Sequence, residues 1–292
     1  MHDHLKHILD VRTRRPHVIA EAAAARKRRD SLLGGDGKLF IIAADHAARG
    51  ALRAGDRPMA LADRAQLLER LSLALRRPGV DGVLGTADVI EDLLLLGALD
   101  DKLVVGSMNR GGLAGTVFEL DDRFTGYDAA TIARMRFDGG KMLFRIDPDD
   151  PATAATMEAC ARAVSELAAH GLMAMVEPFI SRRVDGRVRN DLSPNAVTRS
   201  ITVAAGLGTT SAYTWLKVPV VEDMERVLAA STLPALLLGG EVGADQDAVF
   251  AQWNKALRIP SVRGLVVGRT LLFPPDDDVA AAVDAAVDLL RG

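Results

Sequence analysis

Residues 211–223 read SAYTWLKVPVVED, in which one lysine, Lys217, interrupts a run that otherwise has the composition of a buried strand. An ammonium group in apolar surroundings loses hydration, and a second cation nearby disfavours its charge further, so a neutral amine becomes available near pH 7. Such an amine can attack a ketone. The protonated imine that results is an electron sink, which lets a carbon–carbon bond two atoms away break or form. A carboxylate must then carry the proton of the departing hydroxyl, and another can orient the substrate. Other strand-like runs supply charges of this kind: Asp45 closes KLFIIAAD, Glu177 closes LMAMVE, and Lys141 and Arg145 lie within GGKMLFRI. Two lysines and two carboxylates converging on an apolar cavity are what a Schiff-base aldolase requires.

Convergence needs a scaffold. Short runs rich in Val, Ile and Leu predict strands at Lys38 to Asp45, Asp81 to Gly85, Lys102 to Ser107, Gly140 to Ile146, Leu172 to Glu177, Ser211 to Val218, Ala235 to Gly239 and Arg263 to Val267. Amphipathic segments predict helices at Met59 to Arg76, Ala87 to Ala98, Asp128 to Phe137, Ala152 to His170, Pro194 to Ala205, Val221 to Ala230, Ala244 to Leu257 and Asp277 to Leu290. Strand–helix alternation implies right-handed crossovers and a parallel sheet. Eight such units close as a (β/α)8 TIM barrel, with a doubly wound open sheet as the alternative. A helical segment from Leu5 to Leu33 precedes the first strand and is expected to cover the barrel's lower end or pack on its side. Its Ala20 to Ala25 stretch and the Arg26-Lys27-Arg28-Arg29 run read as a solvated helix. No linker or repeat splits the chain, so residues 1–292 are expected to form one barrel domain with residues 1–36 as a helical extension.

Strand side chains alternate between two faces. If Tyr213, Trp215 and Lys217 look into the barrel, the same phase turns Leu39, Ile41, Ala43 and Asp45 inward on the first strand. It also turns Met173, Met175 and Glu177 inward on the fifth, and Lys141, Leu143 and Arg145 on the fourth. In each case charge falls at or near the C-terminal mouth, where barrel enzymes keep their active sites. Lys141, at the start of its strand, could instead reach the lower surface.

Composition excludes several classes. Lys+Arg 36 against Asp+Glu 39 gives a net charge of −3, which offers no field for a polyanion. The longest apolar runs fall far short of the roughly 20 residues of a membrane span. The start has no apolar core of a signal peptide, and the single cysteine, Cys160, allows no intrachain disulfide framework, so a reducing cytoplasm is expected. A zinc-dependent mechanism needs about three ligands, mostly histidine. Here His2, His4, His7 and His17 precede the first strand, leaving only His46 and His170 beyond it. Neither metal nor cofactor is expected.

Taken in order, the motifs resemble those of the class I tagatose-bisphosphate aldolase family, which includes the sulfofructose-phosphate aldolases. IIAADHAARGALR (41–53), RFTGYDA (123–129), GGKMLFRIDPDD (139–150), MAMVEPF (173–179), WLKVPVV (215–221) and RGLVVGRTLLF (263–273) carry the resemblance across about residues 38–275. The resemblance implies Lys217 as the imine-forming lysine, Glu177 as the proton shuttle, Lys141 as the neighbouring cation and Asp45 as the substrate-orienting acid. It implies a phosphate grip at Gly268 and Arg269, to which the backbone of Gly239 and Gly240 adds, since barrels hold phosphate in the loops after strands seven and eight. His46 stands where the family has glutamine, Arg145 where it has an aromatic residue, and GSMNRGGLAG (106–115) departs from its loop.

An inward Arg145, with Arg110 or Arg182 on nearby loops, suits a substrate carrying a carboxylate as well as a phosphate, because a guanidinium fork matches a carboxylate. The expected substrate is therefore 5-dehydro-2-deoxygluconate 6-phosphate, split to dihydroxyacetone phosphate and malonate semialdehyde, a step of inositol breakdown. Other sugar phosphates, acyl or ketol transfer through the same lysine, and a non-catalytic sugar-phosphate sensor are the alternatives. A homo-oligomer is expected, with neither nucleic acid nor membrane as partner.

Overall fold

Short strands that bury every residue are stable only in a parallel sheet covered on both faces. Most strands of this chain, Leu39–Ala43, Gly82–Gly85, Leu103–Ser107, Gly139–Ile146 and Thr214–Val218 among them, bury every residue. In order, the computed structural model, which describes residues 2–240 and 246–292, runs α1 (His2–Arg14), α2 (Val18–Ala25), β1 (Leu39–Ala43), a 3-10 turn (Ala47–Arg49), α3 (Arg64–Arg76), β2 (Gly82–Gly85), α4 (Ala87–Leu95), β3 (Leu103–Ser107), α5 (Ala129–Arg134), β4 (Gly139–Ile146) and α6 (Ala152–Ala169). It continues β5 (Met173–Val184), β6 (Arg187–Asp191), α7 (Pro194–Ala205), β7 (Thr214–Val218), α8 (Met224–Leu228), β8 (Ala235–Leu238), α9 (Gln246–Ala256), β9 (Val262–Val267), α10 (Arg269–Leu272) and α11 (Val279–Arg291). Helix starts are set by local chemistry: Asp63, Asp128, Ser193 and Asp278 each accept a backbone N–H of the first turn, and Pro194 stands at the start of α7, where no N–H is needed.

The sheet order β4-β3-β2-β1-β9-β8-β7-β5, with β4 also paired to β5, closes a ring of eight parallel strands: a (β/α)8 TIM barrel. Leu39, Ile41, Ala43, Leu84, Leu103, Val105, Met173, Met175, Trp215, Leu236 and Val266 fill its interior. The opposite faces, such as Phe40 and Ile42 of β1 or Ala174 and Val176 of β5, pack beneath the helices. The side-chain phase read from the sequence is the one observed. Tyr213 is the exception, lying before β7 and 43% exposed rather than filling the barrel.

Four elements differ from expectation. β5 runs on past Glu177 and turns back through β6, an antiparallel hairpin outside the ring. The basic run is not a solvated helix. α2 ends at Ala25, the backbone of Arg26 turns extended (ψ 129°), and the side chains seek acceptors on the barrel's lower rim. Arg26 donates to the carbonyls of Lys102 (2.7 Å) and Arg136 (2.6 Å), and Arg29 to Asp81 (2.6 Å). Leu32 and Leu33 then pack against the interior cluster and stopper its lower end. Finally, the helix expected after Met59 starts at Arg64, and that expected over Val221 to Ala230 shortens to α8. The expected start of the ninth helix at Ala244 lies outside the described residues. Among those residues, no helix is long and apolar enough to cross a membrane.

Closure between the last and first strands depends on Gly264, whose φ of 142° lies outside the range of L-residues and whose missing Cβ would sit 1.8 Å from the Leu39 carbonyl oxygen. Gly264→Ala is expected to destabilise the fold by more than ~3 kcal/mol, read as a fall in the urea midpoint. A midpoint within error of the parent would refute the close approach.

Candidate active site

Register brings the charged residues together. Lys141 is three residues into β4, opposite Ser107 of β3 and Met175 of β5; Leu143, two residues on, faces Glu177. Glu177 lies in β5, Lys217 near the end of β7, and Asp45 two residues beyond β1. At the barrel mouth these side chains form a chain of alternating sign. Asp45 Oδ2 is 3.1 Å from Lys141 Nζ, Lys141 Nζ is 2.5 Å from Glu177 Oε2, and Glu177 Oε1 is 2.8 Å from Lys217 Nζ. Lys141 does not reach for the lower surface: it is 1% exposed, and Lys217 is 2% exposed. Met173, Met175 and Trp215 form the apolar floor below them.

The electrostatics follow from burial and proximity. Burial favours the neutral acid for both carboxyls, but the cations prevail. Arg110 and Lys141 hold Asp45 well below the usual carboxylate range, and Lys141 and Lys217 do the same for Glu177. Lys141 is shifted downward by burial and then by Arg110, against the opposing pull of Asp45 and Glu177. His46 follows Asp45, with Nδ1 3.8 Å from Asp45 Oδ1 and no hydrogen-bond partner. Burial first, with Arg269 and Lys217 adding to it against Asp45, lowers its pKa to about 3, so the ring is neutral at pH 7.

Ser107 and Asn109 carried no signal of their own in the sequence, whereas Arg110 was already expected near a substrate carboxylate. Ser107 Oγ donates to Asp45 Oδ2 at 3.0 Å, and Arg110 Nη1 lies 3.2 Å from the same oxygen. Asn109 bridges to β4 where the β3 ladder ends, donating to the Leu143 carbonyl (2.5 Å) and accepting its N–H (2.7 Å). The GSMNRGG stretch that departs from the resembled family is thus the one that reaches into the site. In the sequence it was flagged by that departure and by Arg110.

Arg145 does not stand ready for a ligand. Glu119, on the long loop between β3 and α5, receives Arg145 Nη1 at 2.8 Å through Oε1, and its carbonyl accepts Nη2; Asp122 Oδ2 lies 3.8 Å away. Arg49 Nη2 meets the same Glu119 oxygen at 2.8 Å. The side chain is inward and buried as its phase requires, but the loop brings a carboxylate to neutralise it. Arg182, on the hairpin, is exposed and lies 3.8 Å from Asp149.

The glycine loops lie at neighbouring strand ends. Gly239 and Gly240 follow β8, the latter with φ 68°, and Gly268 and Arg269 follow β9. A Cβ on Gly268 would come within 2.2 Å of the Ala43 carbonyl oxygen, so the loop runs against the end of β1 beside Asp45. Thr270 Oγ1 donates to the Gly239 carbonyl at 3.4 Å and links the two loops. Among the described residues, no group of histidines, cysteines and carboxylates is arranged to hold a metal ion. Two surface clefts, one lined by Gln66, Arg70 and Asp277 and one by Asp36, Asn254 and Arg291, contain none of the mouth charges.

A family model described as Cgl0159-like matches residues 37–287. The chain is similar to the solved structure of Cgl0159 from Corynebacterium glutamicum, with 56% identity over 99% of this chain and 97% of that one and a TM-score of 0.96. It is also similar in fold to a Schiff-base-forming fructose-1,6-bisphosphate aldolase (18% identity, 93% of this chain, 99% of that one, TM-score 0.65). A third likeness is to an archaeal fructose-1,6-bisphosphate aldolase whose catalytic lysine carries a carbinolamine intermediate (17% identity, 94% of this chain, 100% of that one, TM-score 0.65). No curated protein matches the chain.

The neutral, half-buried His46 has a measurable consequence. Its folded-state pKa is depressed to about 3 from 6.5. Between those values the unfolded chain binds the proton and the folded one does not, so stability falls as pH drops through that window. His46→Asn is expected to remove about 2 kcal/mol of the stability difference between pH 6.5 and pH 5, measured by urea unfolding at both. An unchanged difference would refute a neutral ring.

Proposed function

The chain belongs to the Cgl0159-like family, and we propose that it is a class I aldolase in which Lys217 forms the imine. The observation that carries this reading is the single carboxylate, Glu177, hydrogen-bonded at 2.8 Å to one buried lysine and at 2.5 Å to another. The Schiff-base aldolases that share the fold support it.

Glu177 Oε1 is positioned to take the ammonium proton of Lys217, and the free amine then adds to the substrate ketone. Loss of water from the carbinolamine gives a protonated imine. Glu177, freed of its proton, takes the proton of the hydroxyl on the carbon beyond the scissile bond. That carbon–oxygen pair closes to an aldehyde, the carbon–carbon bond breaks, and its electrons move into an enamine that neutralises the nitrogen. Return of the proton to the enamine carbon and addition of water release the ketone product and regenerate Lys217. Lys141 holds the developing oxyanion, and Asp45, kept ionised by its donors, accepts substrate hydroxyls. Gly239, Gly240, Gly268 and Arg269 hold the phosphate, and the neutral His46 offers a hydrogen bond at the substrate's edge.

The substrate that fits this reading best is 5-dehydro-2-deoxygluconate 6-phosphate, cleaved to dihydroxyacetone phosphate and malonate semialdehyde. Tagatose or fructose bisphosphate and sulfofructose phosphate are the alternatives.

Incubation with dihydroxyacetone phosphate and borohydride is expected to add the mass of the reduced adduct to the peptide carrying Lys217, located by mass spectrometry. Lys217→Met is expected to abolish labelling and to lower cleavage by at least about 10³-fold, as removal of a covalent nucleophile does. Binding of the phosphate without labelling would overturn the aldolase reading in favour of a sensor. Labelling without cleavage of the acid substrate would overturn only the substrate.

A further inference from the structure

Arg110 is the one guanidinium of the mouth that touches the Asp45–Lys141 pair, and its donors are not all used. Nε donates to the Asn109 carbonyl at 2.6 Å, and Nη1 faces Asp45 through Oδ2 at 3.2 Å and the backbone carbonyl at 3.4 Å. Nη2 is buried and has no hydrogen-bond partner, in a side chain only 5% exposed. Both hydrogens of that nitrogen lack an acceptor. A buried donor left without a partner is unfavourable, so such a group persists where something else completes it.

The charge balance around it points to the sign of the missing partner. Among the described residues, the ion pairs that include Arg110 join Arg110, Lys141 and Lys217 to Asp45 and Glu177, while Arg49 and Arg145 pair separately with Glu119 and Asp122. With all ionised, the set around Arg110 carries three positive charges against two negative. His46 is neutral. One anionic group is therefore needed to balance the set.

Topology gives its location. Around the ring the strands run β1, β2, β3, β4, β5, β7, β8, β9, so β3 and β8 are four steps apart in either direction and face each other across the mouth. Arg110 follows β3, and Gly239 and Gly240 follow β8. A substrate whose phosphate is held at the glycine loops and whose ketone reaches Lys217 extends its other end toward Arg110.

We propose that Arg110, through Nη2, binds an oxyanion on the end of the substrate distal to the phosphate, a carboxylate or a second phosphate, and so selects an anionic aldehyde as the reaction partner. This rests on the aldolase reading and assigns to Arg110 alone the part read from the sequence for Arg145 together with Arg110 or Arg182. Binding completes the unpaired donor and the charge balance together, whereas an uncharged aldehyde leaves both as they are.

The test is condensation of dihydroxyacetone phosphate with malonate semialdehyde, glyceraldehyde 3-phosphate and uncharged propanal. The parent protein is expected to favour at least one of the two anionic aldehydes over propanal by about 30-fold or more in kcat/KM, in line with a buried charge-assisted contact. The oxyanion preferred identifies the source. Arg110→Gln is expected to bring that ratio to within about threefold of unity, and Arg110→Lys, which keeps a charge beside Asp45 but lacks the forked Nη2 donors, to leave it intermediate. A structural role alone lowers all three aldehydes together and leaves the ratio unmoved; that result, or a parent ratio near one, overturns the inference. The borohydride adduct on Lys217 is read in the same preparations. Its absence from the parent overturns the aldolase reading, while its presence with an unmoved ratio overturns Arg110 alone.

Discussion

One carboxylate between two ammonium groups organises the mouth of this barrel. Glu177 gives one oxygen to Lys141 and the other to Lys217, and both lysines are removed from solvent. Burying two ammonium groups is unfavourable unless each is paired and hydrogen-bonded, and losing one partner of such a pair leaves an uncompensated charge. Lys141 answers with a second contact, to Asp45, and Asp45 in turn gathers Ser107 and Arg110 on the same oxygen. The network spans β1, β3, β4, β5 and β7. It tolerates little slippage of any strand, because a one-residue shift would turn the charged side chain toward the helices.

Around this network the protein separates stability from polarity. Below the mouth the interior is apolar, from Leu39 and Leu103 up to Met175 and Trp215, and Leu32 and Leu33 close the lower end. The arginines of the N-terminal segment pair with the lower rim, where Arg29 and Arg291 share Asp81. The upper rim is covered by the loop between β3 and α5. Glu119 draws Arg49 and Arg145 to one oxygen, and its other oxygen accepts the N–H of Gly115 at 2.7 Å. Asp45, Lys141 and Lys217 are buried, and a low local dielectric strengthens every contact among them.

The fold was legible because its signals are local and repeated. Eight short apolar runs separated by amphipathic segments admit few topologies, and the alternation of side chains along Leu39–Ala43 and Met173–Glu177 already told the interior face from the exterior. The hairpin formed by β6 was not legible, since RVRND has no apolar alternation and pairs as an extension of β5 through backbone bonds. The basic run after Ala25 misled for a related reason. Charge in sequence reads as solvent exposure, whereas Arg26 is buried by carbonyl acceptors that come from Lys102 and Arg136, far along the chain.

By itself, then, the sequence determined the alternation of strands and helices, the inward phase of the charged residues and the place of Asp45, Glu177 and Lys217 at the ends of their strands, because side-chain period follows from local composition, while ring closure and the upward reach of Lys141 waited on tertiary structure. Tertiary structure alone decided how those charges are shared. It decided that Glu177 bridges both lysines, that Glu119 neutralises Arg145, and that Arg110 retains an unpaired donor beside Asp45. Ion pairing is settled by distances of a few ångströms between loops and strands remote in sequence, and no local pattern carries that information.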